Sequence, residues 1–370
     1  MTIILLGNCS KKRLGKSVEK NLKNVAFNID IFKMDELTKK VLTDQRLVAY
    51  QEEWFRKLEA LFDGTGENQM TLSGIFGASA DPNLIYREPE RWMDEAMDNL
   101  AQRAYDAISA PRFVPLCVES ALYGVHFVDR ILGAEVFFQD GQWYNHSLKQ
   151  EVGELELPNL EGNETWKLAR RVAEAFLASE TTVPLFGLPT IASVANIAVN
   201  LYGEEILVAM LSEPEAAEHD LRIINEVLKE IHRWYLAHIP MKRLQPVISW
   251  DRTQPPGYGQ ICGCTTQLVS PALYEEFLYP LDNELLGVYP RGGMIHLCGS
   301  HGHLIPLFAK MRNLKSVQLN DRAAGDLELY VRGLRADQVI YLNPCKEMPL
   351  ERGLEIAAGR RLVVVGDYKL

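Results

Sequence analysis

With 370 residues, 47% of them hydrophobic and 24% charged, the chain has the makeup of a soluble globular protein with ample material for a large core. Its formal net charge of −10 argues against a nucleic-acid backbone or an anionic membrane as the main partner. No run of about 20 apolar residues is present to span a bilayer. The length fits two ordinary domains, or one α/β barrel with an extension.

Met1 to Gly7 is too short for the core of a signal peptide, and Lys11-Lys12-Arg13 follow it instead of preceding it, so a cytoplasmic location is expected. The six cysteines, at 9, 117, 262, 264, 298 and 345, form no small-domain disulfide framework. Reduced thiols, some of them metal-binding, fit better.

Residues 1–33 carry little pattern, and a helix start is expected at Met34, before Asp35-Glu36-Leu37-Thr38. Leu37, Val41, Leu47, Trp54, Leu58 and Leu61 recur near helical spacing as far as Phe62, and a further helix is expected over 89–108. Residues 1–109 therefore read as a mostly helical N-terminal extension. After Pro111 short apolar runs alternate with amphipathic helices, the texture of a parallel sheet.

Seven strands are expected, over 113–118, 182–186, 245–250, 294–298, 316–319, 339–342 and 362–365. An eighth falls at 135–138, which reads more like a hairpin insertion, or near 304–308. Helices are expected over 204–210 and 213–238, with Ser212 as N-cap of the second. The breaker cluster Pro255-Pro256-Gly257-Tyr258-Gly259 reads as a surface loop and a candidate lid.

One stretch stands out for its chemistry: Gly293-Met294-Ile295-His296-Leu297-Cys298-Gly299. In a strand, residues i and i+2 point to one face, so His296 and Cys298 can bind one soft metal ion. A buried cysteine beside a hydrogen-bonded histidine would look the same in sequence. Polar residues at expected strand ends are candidates for substrate contact or helix caps: Glu119, Asp251, Arg252, Asn320, Asp321 and Asn343. Tyr123-Gly124-Val125-His126 and Trp143-Tyr144 either shape a pocket mouth or pack in a core or hairpin.

Several segments in order resemble the uroporphyrinogen decarboxylase superfamily. They are Val183-Pro184-Leu185-Phe186-Gly187-Leu188-Pro189-Thr190-Ile191-Ala192-Ser193, then Tyr202-Gly203, then Ser212-Glu213-Pro214-Glu215. Ser270-Pro271-Ala272-Leu273-Tyr274-Glu275-Glu276-Phe277, with Pro280, and Met294 to Gly299 follow. The resemblance spans 110–370 and implies an α/β protein, a (β/α)8 TIM barrel behind the N-terminal helical extension, with its site at the C-terminal strand ends.

True decarboxylases of that superfamily use no metal and hold substrate carboxylates with an arginine-rich N-terminal segment, which is not evident here. The zinc-dependent branch, typified by methylcobalamin:coenzyme M methyltransferases, carries a His-x-Cys pair that His296 and Cys298 match. Its third ligand is a cysteine in a Gly-Cys-Gly turn after the last strand, where this chain has Gly366-Asp367-Tyr368. Cys345 is put forward in its place, slightly ahead of Cys262 and Cys264.

The resemblance thus implies a methyltransferase with zinc at His296, Cys298 and Cys345, moving a methyl group from a corrinoid on a separate protein to a small thiol or similar acceptor. Glu119, Asp251 and Asp321 are the expected catalytic residues, and Arg252, Asn320 and Asn343 the expected substrate contacts. The alternatives are a metal-independent decarboxylase of a porphyrinogen-like carboxylated substrate, or a non-catalytic corrinoid- or metal-binding barrel.

Overall fold

The computed structural model describes residues 34–73, 80–245 and 252–368. Short strands run side by side through its centre: β1 Gln69–Leu72, β2 Cys117–Glu119, β5 Leu185–Gly187, β6 Leu244–Gln245, β7 Gly259–Cys262, β8 Gly293–Leu297, β9 Leu314–Leu319, β10 Val339–Leu342 and β11 Leu362–Val365. Two more, β3 Glu135–Gln139 and β4 Gln142–His146, form an antiparallel hairpin, as the sequence suggests for that segment.

All other pairings are parallel, in the order β7-β8-β9-β10-β11-β1 and, in a second ladder, β2-β5-β6. A parallel bridge between Leu72 and Phe113 links the two ladders. The result is an α/β protein with a parallel sheet. Parallel strands need long crossovers, and helices supply most of them.

Five expected strands coincide with β5, β8, β9, β10 and β11, and the end of a sixth with β2. Of the strand expected over 245–250, only Gln245 is described, and it ends β6. Two strands escape the sequence pattern. β1 comes from the stretch that reads as helical and joins the sheet beside β11, and β7 directly follows the Pro/Gly cluster. The 304–308 segment is no strand: it lies in a 3-10 turn and the helix Ile305–Lys310.

The first helical stretch breaks in two, Glu36–Leu42 and Gln45–Asp63, because the Asp44 side chain accepts a hydrogen bond from the Arg46 backbone N–H and starts a new helix. Helix Pro89–Ile108 is as expected. Ser212 does not cap the helix Pro214–His238; its hydroxyl donates back to the Val208 carbonyl, 3.1 Å away, and closes the preceding helix. Pro214 at the first helical position pushes Glu213 out of helical geometry and makes it the N-cap instead. Among the described residues no single helix is long and apolar enough to cross a membrane.

Apolar side chains from one face of the strands, among them Met70, Leu72, Leu185, Met294, Val339, Tyr341, Val363 and Val365, pack with Phe62, Phe113 and Tyr258 into one cluster. The Pro255–Gly259 stretch is not a surface lid. Thr253, Gln254, Pro255, Gly257 and Tyr258 are buried. Buried backbone needs hydrogen-bond partners, and this loop finds them on the strands. The Gln254 amide donates to the Gly259 carbonyl (2.8 Å) and accepts from Ser316 Oγ (2.9 Å), while the Tyr341 hydroxyl donates to the Thr253 carbonyl (2.8 Å).

Candidate metal centre

Register decides which strand-end residues meet. In the β7–β8 ladder Cys262 lies opposite His296, and in the β8–β9 ladder His296 lies opposite Gln318. In parallel strands residues paired this way share a face, so the three form one row. Gly263 follows, its N–H donating to the His296 carbonyl at 2.9 Å. A Cβ on Gly263 would lie 2.5 Å from Ile295 Cδ1, so glycine lets the chain pass this close to β8 without displacing the Ile295 side chain. The chain then turns into the short 3-10 segment Cys264–Leu268.

That turn brings Cys264 back onto Cys262, with 3.4 Å between the two Sγ atoms. Ligand atoms of Cys262, Cys264 and His296 all lie within 4.8 Å of one another. Cys298, two residues beyond His296, lies near enough to Cys264 and His296 for both to favour its thiolate. Three soft donors from two adjacent strand ends therefore converge, with Cys298 beside them, and His296 is buried.

The surrounding groups orient them. His296 Nδ1 bonds Gln318 Oε1, and Gln318 Nε2 donates to Asn343 Oδ1. With its amide nitrogen committed to Asn343, Gln318 presents its oxygen to the imidazole. This assigns the proton to Nδ1 and leaves the Nε2 lone pair for a metal. Asn196 Nδ2 contacts Cys262 Sγ at 3.7 Å, and its Oδ1 accepts from the Thr265 N–H at 3.1 Å. Asn196 belongs to the helix Val194–Tyr202, capped by Ser193, whose N–H donates to the Cys262 carbonyl at 3.2 Å. Buried His301 lies with Nδ1 2.8 Å from the Gly299 carbonyl and Nε2 3.1 Å from the Gly263 carbonyl, tying together the turns that follow the two cysteine-bearing strands.

The thiols divide their protons unequally. The hydrogen bond with Cys264 pulls the Cys262 thiol below its ordinary range, helped by His296 and Arg252 nearby against the opposing effect of burial. Neighbouring Cys264 and His296 do the same for Cys298. Cys264, flanked by both, is pushed up. Thiolate is the form that binds metal, so two of the three sulfurs are predisposed to it.

A zinc ion fits this donor set. Tetrahedral zinc with Zn–S bonds near 2.3 Å holds two sulfurs about 3.8 Å apart, close to the separation of Cys262 and Cys264. Sulfur and imidazole nitrogen are the ligands zinc prefers, and the hydrogen bond on the far ring nitrogen is the usual support for a ligating histidine.

Of the residues the sequence puts forward, His296 and the two second-ranked third donors, Cys262 and Cys264, form this centre, with Cys298 beside it. Cys345 is not among the donors brought together. Its Sγ faces the Asp321 carbonyl at 3.8 Å, and it lines a separate cavity of about 280 Å³ with Pro344, Pro349, Leu350 and Tyr368. Arg252 stands close enough to Cys262 to stabilise its thiolate. Asn343, expected to touch substrate, is engaged with Gln318. Glu119 ends β2 opposite Gly187, on the face that carries Cys117. Asn320 bonds the exposed carboxylate of Asp321, which begins a helix with a left-handed φ of 47°. Asp251 lies outside the described residues. Gln318 and Asn196 carry no signal in the sequence, since a lone amide matches no spacing rule.

No family model matches the chain, and no curated protein does. Among solved structures, the chain is similar to a methyltransferase from Methanosarcina mazei, with a TM-score of 0.57 and 12% identity over 84% of this chain and 91% of that one. A B12-independent methionine synthase from Shewanella sp. W3-18-1, solved in complex with selenomethionine, aligns with a TM-score of 0.40 and 11% identity, over 75% of this chain and 82% of that one. The first likeness shows that the chain shares the α/β, parallel-sheet fold of a methyltransferase.

Proposed function

We propose that the protein is a zinc-dependent methyltransferase on a closed (β/α)8 barrel of the uroporphyrinogen decarboxylase type, carrying a methyl group from a corrinoid on a separate protein to a thiol acceptor in the cytoplasm. The observation that carries this reading is the convergence of Cys262, Cys264 and His296 at the C-terminal ends of β7 and β8. Sites of barrel enzymes lie at that end of the strands. Bound zinc would keep an acceptor thiol ionised near neutral pH while leaving it nucleophilic.

The chain's own side chains do the rest. Cys262, Cys264 and His296 form the holding set, with Cys298 beside them as a fourth donor. Gln318 and Asn343 orient the imidazole so that its outer nitrogen is the one available to a metal. His301 keeps the two ligand-bearing turns together. Arg252 offsets negative charge on the sulfurs, and Glu119 is a polar group at a neighbouring strand end. A metal-free decarboxylase would have no use for three thiols and an oriented imidazole in one place, which is why the decarboxylase reading ranks second.

Two measurements test the proposal together. Protein purified without chelator should contain about one zinc per chain, and it should demethylate methylcobalamin in the presence of a small thiol, with the S-methyl product found by mass spectrometry. Zinc-free protein that transfers no methyl group after zinc is added would overturn it.

A further inference from the structure

A second cluster of polar side chains sits on the loop that leaves β2. His126 Nδ1 lies 2.6 Å from Asp129 Oδ2, and Asp129 is completely buried. The Asn200 amide donates to the same carboxylate oxygen at 2.8 Å. Asp129 is thus held from two sides and fixes the imidazole with its Nδ1 proton inward. His126 Nε2 makes no hydrogen bond among the described residues, and the side chain keeps 12% of its surface exposed. A buried carboxylate orienting an imidazole whose other nitrogen is free is the arrangement of a general base.

The loop is built to hold it there. Tyr123 adopts φ 54° and ψ 19°, a left-handed conformation unusual for a bulky residue. Its N–H donates to the Tyr86 hydroxyl at 2.8 Å, and its ring packs against Tyr86 and Trp143. The Tyr123 carbonyl in turn accepts from the His126 N–H at 3.0 Å.

What connects this pair to the metal centre is one helix. Asn200, which holds Asp129, and Asn196, which touches Cys262, are four residues apart on Val194–Tyr202. Residues i and i+4 lie on the same helix face with Cβ atoms about 6 Å apart. The asparagine that anchors the histidine–aspartate pair and the asparagine that touches the sulfur cluster are therefore a single helical turn apart on one helix.

We propose that His126 is the proton acceptor for the thiol substrate, with Asp129 as its positioning residue. The inference rests on the thiol-accepting function proposed above. The S–H bond of the incoming thiol breaks, its proton moves to His126 Nε2, and the electron pair stays on sulfur, which becomes a thiolate. Asp129 faces the imidazolium so formed.

The test uses full-length protein loaded with cobalt(II) in place of zinc, whose visible absorption reports thiolate capture without any corrinoid. Two probes are compared by stopped flow: 2-mercaptoethanol, a thiol at neutral pH, and thiophenol, largely ionised there. His126→Gln should slow capture of 2-mercaptoethanol by roughly 100- to 10,000-fold and leave thiophenol capture nearly unchanged, with full cobalt content. Asp129→Asn should show the same selectivity, more weakly. An equal slowing of both probes, no slowing of either, or loss of cobalt from His126→Gln would overturn the proposal. Failure of the wild-type protein to capture either thiol would instead strike the thiol-accepting function itself, and this inference with it.

Discussion

The turns that follow β7 and β10 each carry a cysteine beside glycine or proline, yet only the first reaches the metal centre. After β7, Gly263 lets the chain run against Ile295 and return Cys264 to Cys262. After β10, Pro344 constrains the preceding residue to an extended conformation, and Cys345 enters a small loop closed by its own hydrogen bonds with Met348. Distance across the sheet matters as much. β7 adjoins β8, whereas β10 is two strands from it, about 10 Å away. A donor on β10 starts too far from His296 to share a metal ion with it, and the intervening position on β9 belongs to Gln318. Adjacency in the sheet, rather than a shared end of the strands, selects ligands.

The sharpest way to break that comparison is to remove one cysteine from each turn. Cys264→Ala should abolish zinc retention, since a site that loses a ligand no longer holds its metal, while Cys345→Ala should retain about one zinc per chain. Elemental analysis of both variants after gel filtration decides it. Zinc lost from Cys345→Ala and kept by Cys264→Ala would reverse the assignment of the third donor.

A smaller effect is expected one layer out. Gln318→Leu removes the acceptor on His296 Nδ1, and loss of such a partner typically weakens metal binding by roughly 10- to 100-fold. Asn343→Ala, which acts on the imidazole only through Gln318, should weaken it less. Competition with a chromophoric chelator measures both. Equal affinities for wild type and Gln318→Leu would mean that the amide does not orient the ligand.

Much of this architecture is readable from the sequence, and the limits have identifiable causes. His296 and Cys298 stand two apart in a single apolar run, so strand periodicity alone puts them on one face. Their partners come from another strand, and nothing in the spacing of Cys262 and Cys264 says that β7 lies in register with β8. β7 itself is hidden because dense proline and glycine signal a loop at the surface. Here that loop is buried, and its polar groups are satisfied by Gln254, Ser316 and Tyr341, a pairing of residues 62 and 88 positions apart. β1 is hidden for a different reason: the four residues Gln69-Met70-Thr71-Leu72 are too few to show a period, and their place is fixed only by pairing with Leu362 to Val365. The left-handed Tyr123 and the buried Asp129 likewise depend on distant partners, Tyr86 and Asn200.

Gly263→Ala probes the close approach that distinguishes the β7 turn. Its Cβ would meet the Ile295 side chain at 2.5 and 2.9 Å and Leu297 at 3.2 Å, and crowding of this kind in a packed interior costs about 1–3 kcal/mol. Urea denaturation of the metal-free variant reads that cost directly. A shift of the turn would also part Cys264 from Cys262, so zinc affinity should fall along with stability. A variant with unchanged urea midpoint and unchanged affinity would show that glycine is not needed there.

A residue within β10 itself offers the control. Tyr341 lies in register with Gln318, on the same inward face, but its hydroxyl reaches the buried Thr253 carbonyl and not the metal ligands. Burial pushes the Tyr341 phenol well above its ordinary range, so it is a neutral donor near neutral pH. Tyr341→Phe removes one neutral hydrogen bond without changing the ring that packs against Phe62, which should cost about 1 kcal/mol. Because the lost bond anchors the loop before β7, and not the turn after it, urea denaturation should register the change while chelator competition should not. If zinc affinity fell together with stability in this variant, the loop before β7 would also help to place Cys262, and the two ends of that strand could not be treated as separate in function.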